Sequence, residues 1–170
     1  MIYVTVGGPS SYGFLRLIQK MDDLVPALDQ EVIMQIGDTK YEPKHSLYFS
    51  YLNVAEANRL FSTADVVISH CSTGSVLNSR VMRQGRPTIV VPRLKKHKEH
   101  LDDHQSELAD LIEQETVNPF LTVVRQIEDL ESAVRTAGQL AHTASQVIKK
   151  ESPLLRFLSE YVQTLSREKR

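Results

Sequence analysis

Apolar residues along this chain follow two periods, and the alternation between them predicts its elements. Short runs rich in β-branched and aromatic residues occupy positions 2–6 (IYVTV), 31–37 (EVIMQIG), 47–51 (LYFSY), 65–69 (DVVIS) and 88–91 (TIVV). Runs of this length, closed by turn residues, read as buried parallel strands. Between them the apolar residues recur at every third or fourth position. Phe14, Leu17, Ile18, Met21, Leu24, Val25 and Leu28 mark a first helix. Asn53 and Glu56 have capping-box spacing and open a second, which buries Ala57, Leu60, Phe61 and Ala64. A third starts at residues 72–74, with Val76, Leu77, Val81 and Met82 as its apolar positions, and Gly85 and Pro87 stop it. Leu101, Leu108, Leu111 and Ile112 suit a fourth helix running to about residue 115, and residues 117–124 a short sixth strand. A long amphipathic helix is expected over 127–148. Ser152-Pro153 then opens a last one carrying Leu154, Leu155, Leu158, Tyr161 and Leu165.

Strands alternating with helices, without repeats or low-complexity linkers, predict an α/β fold with a doubly wound parallel sheet. Residues 1–150 form its body, and 151–170 an added amphipathic helix with a polar tail. A length of 170 residues with 41% hydrophobic content suits one core. The formal net charge of -1 excludes a dedicated nucleic-acid binder, which carries a basic excess. A single cysteine, Cys71, excludes an internal disulfide and a cysteine-based zinc site and fits a reducing cytosol. No apolar run has the length of a membrane span, and the N-terminus enters a strand without a signal-peptide pattern. A soluble protein is expected, with any membrane contact peripheral.

The candidate chemistry lies between residues 66 and 105. Upstream, Gly7-Gly8-Pro9 closes the first strand, but the G-x-G-x-x-G fingerprint of a dinucleotide site is absent. A plain chain reversal and a phosphate contact both suit this turn. After the fourth strand, His70-Cys71-Ser72-Thr73-Gly74-Ser75 opens a helix whose free N–H groups, hydroxyls and missing side chain at Gly74 have the makings of a diphosphate cradle. An ordinary Ser/Thr helix cap explains the same residues. Ser72 and His70 do not read as a nucleophile and base, because the G-x-S-x-G elbow is missing. The loop from Arg93 to Gln105 groups Arg93, Lys95, Lys96 and Lys98, then Glu99, His100, Asp102, Asp103, His104 and Gln105. Carboxylates and amides of this kind suit sugar hydroxyls. His97, His100 and His104 have helical spacing beside two carboxylates, but the lysines among them oppose a cation, and no metal is expected. A solvated charged loop is the remaining alternative.

Several stretches together resemble the C-terminal domain of glycosyltransferase family 28 in stand-alone form. They are VTVG at 4–7, Phe14-x-Arg16-Leu17, QIG at 35–37, YEPKH at 41–45, ISH at 68–70 with TGS at 73–75, VVPRLKK at 90–96 and EHLDDHQ at 99–105. Within that family the chain is similar to the small PssE/EpsF-like subunits of bacterial exopolysaccharide glycosyltransferases. These are related to the donor-binding subunit of the eukaryotic transferase that extends lipid-linked N-acetylglucosamine. The resemblance implies the Rossmann-like, nucleotide-sugar-binding half of a GT-B glycosyltransferase, with no required metal or other cofactor. It places Gly7 and Gly8 at the interdomain loop and Ser72, Thr73, Gly74 and Ser75 at the donor diphosphate. Asn78 or Arg80 falls at the ribose, and Asp103, His104 and Gln105 at the donor sugar. His70, Arg93, Glu99 and His100 are further candidates, and the catalytic residue is unassigned.

The function implied is donor binding in a two-subunit enzyme that transfers a sugar from a UDP-sugar to a lipid-linked acceptor in exopolysaccharide synthesis. The partner would be a membrane-associated, acceptor-binding subunit that recruits this chain to the inner face of the membrane. The last helix would dock on that partner or cover its own sheet, and the lysine loop would lie near anionic head groups. The chain departs from the family pattern at Gly8-Pro9, where relatives often carry Thr-His, and at Ser72, where they carry Gly. The stretch 74–87 is longer than in relatives. No carboxylate stands at the ribose position. A regulatory or scaffolding subunit that keeps the fold without donor binding is the alternative.

Overall fold

A computed structural model describes residues 1–83, 85–114 and 118–148, with 144–148 described by their backbone alone. Among these residues six parallel strands, β1 (Ile2–Thr5), β2 (Val32–Gln35), β3 (Leu47–Phe49), β4 (Val66–His70), β5 (Thr88–Val91) and β6 (Leu121–Val123), form one sheet in the order β3-β2-β1-β4-β5-β6. Among the described residues five α-helices connect and cover them: α1 (Leu15–Leu24), α2 (Val54–Thr63), α3 (Thr73–Met82), α4 (His104–Gln114) and α5 (Leu130–Ile148). Pro26 converts the end of the first predicted helix into a short 3-10 turn, Val25–Ala27. The last predicted helix and the polar tail, 151–170, lie outside the described residues.

The strands alternate faces with period two, and each face has its own helices. Ile2, Val4, Val32, Met34, Ile68 and Ile89 pack against Leu17, Ile18 and Met21 of α1 and Leu130, Val134 and Ala137 of α5. On the other face Tyr3, Ile33 and Val67 meet Leu60, Phe61 and Ala64 of α2. Beside them, Val90 and Leu121 meet Val76 of α3 and Ala109 of α4. Helices on both faces make the sheet doubly wound, as the element order predicts. Asn53 caps α2, its side chain accepting the Glu56 N–H at 2.9 Å and returning a bond to the Glu56 carboxylate at 2.7 Å.

Four apolar positions depart from the sequence reading. Leu77 and Val81 of α3 are 55% and 72% exposed. This helix turns Ser75, Val76 and Ser79 to the sheet instead, and the Ser79 hydroxyl bonds back to the Val76 carbonyl at 2.7 Å. Leu101 precedes α4, and Leu111 lies on its outer face; both are exposed.

Two buried charges join the layers. Asp22, inside α1, accepts N–H bonds from Lys44 and His45 and the Tyr41 hydroxyl, and so holds the β2–β3 loop. Arg83, 1% exposed, donates to the carbonyls of Phe61, Ala64, Asp65 and Pro87 and to the Thr88 hydroxyl. It thereby satisfies orphan carbonyls at the end of α2.

Candidate active site

The strand order reverses direction between β1 and β4, and in open α/β sheets the crevice outside the carboxyl ends at such a switch point is where ligands bind. Here that crevice is walled by the loop after β1 and by the turn from β4 into α3. Gly7 has φ +87°, and a Cβ on it would stand 2.5 Å from His70 Cε1. Glycine is therefore required for the β1 loop to lie against the His70 ring.

Ser72 is the N-cap of α3, its Oγ accepting the Ser75 N–H at 3.2 Å. The hydroxyls of Ser72, Ser75 and Ser69 form a chain, with Ser72 Oγ 3.0 Å and Ser69 Oγ 2.8 Å from Ser75 Oγ. Ser72 thus spends its oxygen on the cap, and Ser75 is buried. Thr73 and Gly74 are exposed at the first turn, and a Cβ on Gly74 would meet only Ser72 Oγ, at 4.0 Å. The helix presents its N-terminal N–H groups and positive dipole end there with no side chain in the way.

His70 closes the floor of the crevice. Burial first, then the positive charge of Arg93 and the nearby His100, lowers its pKa to about 4, so the imidazole is neutral near pH 7. Its ring keeps some exposed surface, but protein encloses it on most sides. Its Nδ1 lies 3.3 Å from Ser69 Oγ.

A cavity of about 340 Å³ opens beside this turn. Gly7, Gly8, Ser75 and Asn78 line it together with Gln35, Tyr51 and Leu52. Asn78 faces this cavity, whereas Arg80 is exposed and does not line it. Tyr51 and Leu52 were not singled out by sequence reading; their position just past β3, facing the same sheet edge, is the signal that could have found them. A larger groove of about 590 Å³, between the start of β1 and α5, lies at the opposite edge of the sheet and holds none of these groups.

The loop after β5 is more structural than its sequence suggests. Arg93, grouped above with the lysines as a positive cluster, is 3% exposed and is no surface cation. Its guanidinium donates to the carbonyls of Val6, Tyr12 and Glu99 and lies 5.2 Å from the centre of the Phe14 ring. Glu99 is also buried. It pairs with Arg16, at 2.8 and 3.1 Å, and accepts the Leu94 N–H at 2.9 Å. These two arginines tie the β1–α1 segment to the loop. Gln105, 3% exposed, accepts the Arg93 N–H at 3.0 Å, and the exposed Asp103 accepts that of Lys95 at 2.8 Å. His100 and His104 both contact the Asp102 carboxylate. The His100 ring centre lies 5.8 Å from that of Tyr12, in the β1 loop, so the two loops meet above the sheet edge.

A doubly wound parallel sheet with a capped helix N-terminus and a cavity at its switch point defines the Rossmann-like class, and comparison with known proteins narrows it. The glycosyltransferase family 28 C-terminal domain matches residues 1–157, and the chain belongs to that family. It is 33% identical over 97 residues to a UDP-N-acetylglucosamine–N-acetylmuramyl-(pentapeptide) pyrophosphoryl-undecaprenol N-acetylglucosamine transferase of Lachnoclostridium phytofermentans, covering 54% of this chain and 26% of that protein. It is 37% identical over 76 residues to the UDP-N-acetylglucosamine transferase subunit ALG13 of Cryptococcus neoformans, covering 45% of this chain and 34% of that one. The match thus spans about a quarter to a third of these relatives. Among solved structures, the kitacinnamycin glycotransferase aligns with a TM-score of 0.55 at 13% identity, over 95% of this chain and 42% of that one. Acinetobacter baumannii MurG aligns with 0.53 at 17% identity, over 85% and 44%. At these identities the likeness is one of fold. This chain corresponds to one Rossmann-like half of the two-domain GT-B architecture.

Proposed function

We propose that this chain is the donor-binding subunit of a two-subunit glycosyltransferase that moves a sugar from a UDP-sugar to a lipid-linked acceptor in exopolysaccharide synthesis. The acceptor would be held by a membrane-associated partner, which brings this chain to the inner membrane face. The observation that carries the donor half of this reading is the meeting, at the switch-point crevice, of the open α3 N-terminus with the cavity lined by Ser75 and Asn78. Likeness to a UDP-N-acetylglucosamine transferase subunit and to a transferase acting on a pyrophosphoryl-undecaprenol compound supports the donor class and the lipid-linked acceptor.

In this reading the cavity takes the nucleoside, with the Asn78 amide in place of a carboxylate at the ribose. The first-turn N–H groups of Thr73 and Gly74 receive the diphosphate, and Gly7 and Gly8 form the rim facing the partner. Asp103 and His104, exposed in this loop, meet the sugar hydroxyls, and the buried Gln105 holds the loop in place through the Arg93 N–H. The acceptor oxygen bonds to the anomeric carbon as the bond from that carbon to the β-phosphate oxygen breaks. The acceptor proton passes to a base outside this chain, and UDP departs. Negative charge grows on the leaving diphosphate, and the fixed N–H groups and helix dipole stabilise it without reorganising, so no metal is required. Neutral His70 adds a dipole beside that charge and no competing anion.

The test is co-expression with candidate membrane-associated partners, followed by calorimetry with UDP and UDP-sugars and assay of sugar transfer to lipid extracts. Binding and transfer that fall at least about tenfold in Asn78→Ala and Ser75→Ala, a loss of about 1.4 kcal/mol or more, support the reading. A complex that binds no UDP, or transfer indifferent to both changes, overturns it in favour of a scaffolding subunit.

A further inference from the structure

Past β5 the chain makes a short 3-10 turn, Lys95–His97, and Lys98 then takes a left-handed conformation with φ 57°. That reversal separates histidines that helical spacing had put together. His97 goes to a groove of about 440 Å³ lined also by Arg16, Lys40 and Lys98. His100, Asp102 and His104 instead converge at the mouth of the loop, with one nitrogen from each ring and one carboxylate oxygen all within 4.8 Å of one another.

The His100–Asp102 spacing is close to that between two ligands of one ion, and the exposed His104 ring, now in closer contact with the same oxygen, needs only a small shift to join them. His100 Nδ1 stands 3.1 Å from Asp102 Oδ1, and His104 Nδ1 contacts the same oxygen. In a tetrahedral zinc site with bonds of roughly 2.0–2.1 Å, the edge between two ligand atoms is about 3.3 Å. The two imidazole planes cross at 79° with centres 4.6 Å apart, so the rings do not stack against each other. The His104 N–H, at 3.3 Å, bonds the same Asp102 Oδ1 and fixes its position at the start of α4, and the His100 ring lies against Tyr12. Asp102 and His104 are exposed and His100 half-exposed, which leaves an entry path and an open coordination position.

We propose that His100, Asp102 and His104 bind a divalent transition-metal ion of the zinc, cobalt or nickel type. Two imidazoles and one carboxylate select this borderline class; magnesium and calcium call for more oxygen ligands. Lys95, Lys96 and Lys98 are exposed, where water and salt screen their repulsion of a cation. An ion and a sugar hydroxyl would compete for His104, and neither the UDP-sugar reading nor transfer activity is needed for the ion to bind. A simple ion pair between one carboxylate and two imidazoles has the same three partners, and metal titration separates the two.

The experiment uses the full chain, freed of any affinity tag and stripped with chelator, titrated with zinc by calorimetry and with cobalt by visible absorption. One equivalent of ion, with a cobalt ligand-field band, is expected. Loss of even an outer partner of a metal ligand costs about 10–100-fold in affinity. Asp102→Asn and the double change His100→Gln with His104→Gln should therefore each weaken binding at least about tenfold, whereas His97→Gln should leave it unchanged. Thermal melts confirm that each variant is folded, as exposed positions allow. Absence of stoichiometric binding, affinity unaltered by the double change, or an equal loss in His97→Gln overturns the proposal.

Discussion

Gly7 and His70 are in such close contact that the first cannot carry a side chain without displacing the second. The Cβ of an alanine at position 7 would stand 2.5 Å from His70 Cε1, on a backbone with φ +87°. The contact sets the width of the switch-point crevice, because one residue ends the β1 loop side and the other the β4 side.

Gly7→Ala is expected to lower stability by about 2–4 kcal/mol, combining roughly 1–2 kcal/mol of left-handed strain with the clash. The double variant with His70→Ala should recover the clash and keep the strain, so the two changes are non-additive. Urea unfolding of the four proteins measures the coupling, and additive losses would show that the contact is not made.

His70 makes stability depend on pH. Its folded pKa of about 4 lies below the value of 6.5 for a free imidazole. Between these values the unfolded chain binds more protons than the folded one. Stability therefore rises with pH across this window, and it is lost as pH falls from 6.5 toward 4. Allowing for the exposed part of the ring, the expected loss is about 1–2 kcal/mol. Denaturant midpoints of wild type and His70→Gln at pH 4.5 and 7 measure it. The variant should show a smaller difference between the two pH values.

The pair of the half-buried Arg16 and the buried Glu99 should be costly to break from one side. Glu99→Gln leaves the Arg16 guanidinium without its counter-charge in a site where Glu99 is 3% exposed. A loss of about 3–5 kcal/mol is expected, and less in the double variant Arg16→Met with Glu99→Gln than in the sum of the single changes. Hydrogen exchange at the Leu94 amide, which bonds Glu99 directly, should speed up in Glu99→Gln.

Arg83→Met would take the guanidinium from the carbonyls of Phe61, Ala64 and Asp65, while Pro87 keeps the Val67 N–H. Each buried unsatisfied group costs about 1–3 kcal/mol, so the variant is expected to lose at least about 3 kcal/mol. Arg83→Lys should recover little, because a single ammonium cannot span the fork that the guanidinium fills. Chemical denaturation of both variants measures the difference.

The course of the chain was legible from local pattern. The apolar run at residues 2–6 reads as a strand buried on both faces, and the structure packs Ile2 and Val4 on one face and Tyr3 on the other. The Asn53–Glu56 spacing and the small residues before Thr73 mark two helix starts, because capping is settled within four residues. Membership of the family was legible as well, from motifs spread along the first two thirds of the chain.

What the sequence by itself determined, then, is the order of strands and helices and the position of the glycine and serine turns at strand ends, since both follow from short-range sterics and periodicity. Tertiary structure alone decided which charges stay at the surface and which are buried between segments. Arg93 reads as part of a basic patch, yet its partners Val6 and Tyr12 lie 87 and 81 positions away. Glu99 finds Arg16 across 83 positions. Leu77 and Val81 belong to a helical stripe that the packing of Ser75, Val76 and Ser79 leaves in water. The left-handed turn at Lys98 exchanges His97 for Asp102 beside His100 and His104. A local pattern measures only the neighbours along the chain; burial and charge pairing depend on neighbours across the sheet, which exist only once the strands are ordered.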